Sequence, residues 1–184
     1  ISDHPEVLDQ LNNTSPAAIV LILLLYAMNL LVLTYISIAS LQFLNKPMEH
    51  KENFLLTAYT SLMNFFGAGG AGAGFRGAYL KVKHSVLVKQ YLLITLIYYA
   101  FFATISGIML VSMASPWWLT LLVSLLIGSV SYTAIKYFMS RNSDTFKLDF
   151  KYKPVVSIAI ATLVQAAVIC IIYYVELRSI DPSI

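Results

Sequence analysis

Six of the chain's eight glycines fall between Gly67 and Gly77, and the run they punctuate, GAGGAGAGFRGAYLK, is the part of the sequence best suited to chemistry. Without Cβ atoms, successive glycines let backbone N–H groups turn into a concave surface that holds an anion, and the start of a following helix adds its dipole. A phosphate is the natural guest. Arg76 follows the run, and its planar guanidinium grips two phosphate oxygens where a lysine grips one. If the next helix begins near Arg76, then Tyr79, Leu80 and Lys83 follow it on one face, while Lys81 and His84 share a neighbouring face. Asn64 stands just ahead of the glycines. The spacing outlines a headgroup site built from Asn64, Gly67, Gly69, Gly70, Arg76, Tyr79, Lys81 and His84, a basic pocket at a membrane surface suited to a phospholipid or polyprenyl phosphate. The same residues admit a plainer use. Small side chains let membrane helices pack closely, and Arg76 with its lysines can act as a topology anchor.

Other chemistries find little support. The glycine run lacks the closing GK[ST] of a Walker loop and no strand precedes it, so a nucleotide site is not expected. His4, His50 and His84 are far apart and make no metal-ligand spacing. There is no Ser/His/Asp set, paired carboxylates or HExxH, so no catalytic residue, metal or cofactor is expected. Asn29 and Gln165 lie inside apolar runs, where bonding between helices is the ordinary use of an amide. Tyr98 and Tyr99 point in adjacent directions, so at most one is expected to reach a cavity.

The elements that must position this site are membrane spans. With 59% hydrophobic and 11% charged residues over 184 positions, the chain departs from soluble proteins, where about 25% are charged. Four uncharged stretches, 10–45, 53–75, 90–135 and 154–175, exclude a soluble fold, a disordered chain and a nucleic-acid-binding domain. Residues 17–43 form the first expected helix. The stretch 90–135 is too long for one span and is punctuated at Pro116, which predicts helices over 90–114 and 116–138. Residues 154–175, opened by Pro154, form the fourth. The stretch 53–75 is long enough to cross, yet each interior glycine costs a helix about 1 kcal/mol. A helix confined to 53–66 would reach only about 21 Å of a core about 30 Å thick.

Basic residues set the sides. If 53–75 crosses, nine Lys and Arg lie inside and three outside; if it enters and returns, eleven lie inside and only Arg178 outside. The second arrangement is preferred. It places the N-terminus outside and the basic loops 44–52, 76–89 and 136–153 in the cytoplasm. The expectation is one all-α, polytopic membrane domain over 1–184, with four spans and a glycine-broken re-entrant segment at 53–75. Its N-terminal residue is not methionine, and a piece of a longer membrane region is expected.

The pattern N-x2-G-x-G-G followed by R-x2-YLK-x2-H, here Asn64, Gly67, Gly69, Gly70, Arg76, Tyr79, Leu80, Lys81 and His84, resembles the membrane region of the lysylphosphatidylglycerol synthase/flippase family. The match covers about 25 residues. The resemblance implies a multi-pass inner-membrane protein that handles anionic or aminoacylated lipids, with re-entrant elements, and assigns Arg76, Asn64 and Lys81 to headgroup contact. The chain has no counterpart of the family's soluble aminoacyl-transfer domain, so lysyl transfer is not assigned, and family membrane regions usually have more than four spans. The expected function is binding and flipping of an anionic lipid headgroup, with membrane lipids as partners. Two alternatives stay open: a scaffold that packs through its glycines against a second copy or another subunit, and the membrane part of a lipid-modifying enzyme.

Overall fold

The computed structural model describes residues 15–67, 70–114, 116–141 and 152–180. Every element among them is a helix: α1 Pro16–Phe43, α2 His50–Phe66, α3 Ala71–His84, α4 Val88–Ala114, α5 Trp117–Arg141 and α6 Tyr152–Ile180. Four of these, α1, α4, α5 and α6, are long and apolar enough to cross a membrane. The chain is an all-α polytopic membrane protein, and these four helices start within two residues and end within five of the stretches 17–43, 90–114, 116–138 and 154–175. Exposed leucines such as Leu23, Leu24 and Leu31 suit lipid, which is as apolar as they are.

Local chemistry sets the helix ends. Ser15 caps α1 by accepting the Ala18 N–H at 3.2 Å, with Pro16 in the first turn. At its other end Asn45 adopts the left-handed conformation (φ 55°), so the Lys46 N–H returns to the Leu41 carbonyl at 2.9 Å. Ser85 (φ 52°) closes α3 in a similar way.

Two expectations need correction here. The glycines do not prevent a helix: after the turn at Gly67 and Gly70, α3 runs without a break through AGAGFRG, beginning at Ala71 and not near Arg76. The segments 44–52, 76–89 and 136–153 are only partly loops. α2 starts at His50, residues up to His84 are helical, α5 continues to Arg141 and α6 starts at Tyr152. Tertiary contact offsets the low helix propensity. A Cβ on Gly72 would stand 2.3 Å from the Thr60 carbonyl oxygen, so glycine is what lets α3 lie against α2.

α2 and α3 form an antiparallel hairpin, with Tyr79 and His84 near the end of α3 reaching Glu52 in the first turn of α2. α1 and α6 are also antiparallel, joined near their far ends by Tyr26 donating to Glu176 at 3.0 Å. The main core gathers Phe43, Leu80, Val86, Leu93 and Ile158 at the opposite end. The end of α1, both ends of the hairpin and the starts of α4 and α6 therefore meet at one end of the bundle. The hairpin packs against α1 and touches α4.

Candidate polar cavity around Arg76

α2 carries Asn53, Thr57, Thr60 and Asn64 at intervals of four, three and four residues, a polar stripe at helical spacing on a helix otherwise rich in leucine and aromatic residues. Asn53, Thr57 and Thr60 are buried. The stripe faces α1 and α3. Asn53, with no exposure at all, donates to the Thr34 carbonyl at 3.1 Å and accepts the Ser37 hydroxyl at 2.6 Å.

Arg76, in the second turn of α3, extends its guanidinium into this network. Its Nη2 donates to Ser37 Oγ, to Asn53 Oδ1 at 3.3 Å and to Thr57 Oγ1 at 3.4 Å. All three acceptors are neutral. The ion pairs among the described residues belong to Glu52 alone, so no described carboxylate offsets the charge of Arg76. Beside it lies a cavity of about 150 Å³ whose polar wall includes Ser37, Ser40, Thr60, Asn64, Thr95 and Arg76, with Leu41 and Leu80 on the apolar side. Tyr91, Tyr98 and Tyr99 complete it, so both mid-helix tyrosines reach the cavity, not one. Tyr91 donates to the Ala73 carbonyl at 3.1 Å and Tyr98 to Gln165 Oε1 at 3.0 Å. Gln165 thereby joins α6 to α4, the interhelical use expected of it. Asn29 does not: its Oδ1 is buried without a partner.

The expected headgroup residues separate into four places. Arg76 and Asn64 line the cavity. Tyr79 and His84 instead hold Glu52, whose Oε1 accepts from the Tyr79 hydroxyl at 2.6 Å and lies 2.9 Å from His84 Nε2 and 3.0 Å from Lys83 Nζ. The Tyr79 bond first, then those of His84 and Lys83, pull the Glu52 carboxyl down to about 2. This cluster staples the two ends of the hairpin. Lys81 is exposed, about 140° around α3 from Arg76 at 100° per residue. Gly67 and Gly70 shape the hairpin tip, the latter at φ 95°, and Gly69 lies outside the described residues. Gly70 is six residues from Arg76, about 9 Å along the helix, so tip and guanidinium do not form one cradle. The Gly72 N–H at the helix start already binds Asn64 Oδ1 at 3.0 Å.

No protein-family model, curated protein or solved structure matches the chain. The site must be read from its own chemistry. Ser37, Asn53 and Thr57 were absent from the expected set, although the 53, 57, 60, 64 spacing was there to be seen.

Proposed function

We propose that the protein binds the anionic headgroup of a membrane lipid at Arg76 and carries it across the bilayer. One observation supports this above all: a guanidinium held beside a cavity by Ser37, Asn53 and Thr57, with no described carboxylate to neutralise it. Leaving a charge unpaired inside a helical bundle is costly, and intramembrane cations mark substrate paths for that reason. A phosphate entering the cavity offsets the cost, and the Tyr99 hydroxyl offers a further hydrogen bond. The resemblance of the Asn64–His84 segment to the lysylphosphatidylglycerol flippase family points the same way.

In this reading the α2–α3 hairpin is re-entrant. Its tip carries Phe65 and Phe66 at 82% and 81% exposure, which suits hydrocarbon better than water. The bundle end shared by the hairpin bases and the basic segments faces the cytoplasm, and the N-terminus lies outside. The small size of Gly72 is used inside the chain, against α2, and so gives no support to a glycine face reserved for a partner.

The test is reorientation of a fluorescent anionic phospholipid in proteoliposomes. Arg76→Ala is expected to slow it at least tenfold; an unchanged rate would remove Arg76 from the mechanism.

A further inference from the structure

α5 packs chiefly on α4, and none of its described side chains is buried. Held away from α1 and α6, it leaves a second cavity of about 630 Å³ on the side of α4 turned from Arg76. The walls are mostly apolar, with Ile97, Phe101, Ile135, Met139, Phe43 and Val155 outnumbering the hydroxyls of Thr104, Ser131 and Tyr132. This volume falls within the roughly 300–1,000 Å³ of small-molecule sites. Along α5 the cavity runs from Gly128 to Ser140, about 18 Å at 1.5 Å per residue, close to the depth of one leaflet of a core about 30 Å thick.

Charge distinguishes its two ends. Lys136 lines the cavity towards the C-terminal end of α5, with Ser140 one turn beyond it, and no acidic residue among the described ones lines it. Among the described residues Lys136 takes part in no ion pair. Lysine in this position keeps its stem along the apolar wall and its ammonium at the headgroup level. A groove one leaflet deep, mostly apolar along its length and cationic towards one end, matches a lipid lying with its chain inside and its phosphate at the lysine.

We propose that this cavity is a second lipid site, holding one acyl chain of an anionic phospholipid whose phosphate pairs with Lys136. It does not depend on the Arg76 reading, because the two cavities share no lining residue. Gly128 offers a clean probe. A Cβ built on it meets nothing within 4 Å, so Gly128→Phe can fill the cavity without disturbing the backbone.

The experiment uses the full chain carrying Arg76→Gln, which silences the first site. It is reconstituted in vesicles of equimolar phosphatidylglycerol and phosphatidylcholine, then extracted in mild detergent for native mass spectrometry of retained lipid. The background protein is expected to keep one lipid, phosphatidylglycerol at least fivefold over phosphatidylcholine. Adding Lys136→Gln, a surface change that leaves folding intact, should bring the ratio to about one. Adding Gly128→Phe should cut the retained lipid at least fivefold. Equal retention with and without Gly128→Phe would overturn the site and leave the cavity to a protein segment. An unchanged lipid ratio in Lys136→Gln would overturn the pairing.

Discussion

Arg76 is defined by what surrounds it: three neutral acceptors and a cavity. Asn53→Asp tests that description directly, because it places a carboxylate where an amide oxygen now lies 3.3 Å from the guanidinium. The internal ion pair would satisfy Arg76 without a lipid, so lipid reorientation is expected to fall as far as in Arg76→Ala while helix content by circular dichroism stays constant. Full activity in Asn53→Asp would show that the free charge is not what the protein uses. Arg76 itself was legible in the sequence, as a lone guanidinium after a glycine run. Asn53, Thr57 and Thr60 were legible only as a spacing, since nothing in one helix says which neighbour its polar face meets. Ser37 was not legible. Serine and threonine in membrane helices usually bond their own carbonyl four residues back, as Thr34 and Ser40 do here, and only the tertiary fold sends the Ser37 hydroxyl to Asn53.

The hairpin rests on one close helix approach and one polar staple. Gly72→Ala would force a Cβ to within 2.3 Å of the Thr60 carbonyl oxygen and 2.5 Å of Asn64 Oδ1, and should destabilise by about 1–3 kcal/mol. Gly74→Ala is the matched control. A Cβ there meets nothing, so a gain of about 0.5–1 kcal/mol in helix propensity is expected, with opposite shifts of the thermal midpoint in detergent reading the pair. The staple has a pH signature. The Glu52 pKa is depressed, so its contribution is fully present above the ordinary value of 4.5 and disappears as pH falls through about 2. Glu52→Gln should therefore lower the midpoint at pH 5 and above, and the difference from wild type should vanish only near pH 2. A gap that closed by pH 4 would contradict the staple. The sequence predicted the helix break near Gly67 correctly, but propensity alone overstated its length, because the contact that rescues α3 lies on another helix.

Across the whole molecule, hydropathy made the four spans readable, since each is long, almost uncharged and strongly apolar, whereas the uncharged stretch 53–75 is interrupted by glycines. The path of 53–75 was a matter of counting charges, and labelling can decide it. In a Cys170→Ala background, Lys46→Cys, Lys81→Cys and Arg141→Cys should all react with an impermeant maleimide from the cytoplasmic side, and Phe66→Cys from neither side. Lys46→Cys and Lys81→Cys labelling from opposite sides would make the hairpin a crossing. The packing of α5 was beyond the sequence altogether, because a helix apolar all round does not record which neighbours it will have. What joins spans, hairpin and polar stripe is the guanidinium they enclose, which no carboxylate among the described residues neutralises. The most direct test is a high-resolution structure of the protein in nanodiscs rich in anionic phospholipid. A phosphate within hydrogen-bonding distance of the Arg76 guanidinium is the predicted result. A protein carboxylate in that place, from this chain or a partner, would contradict it.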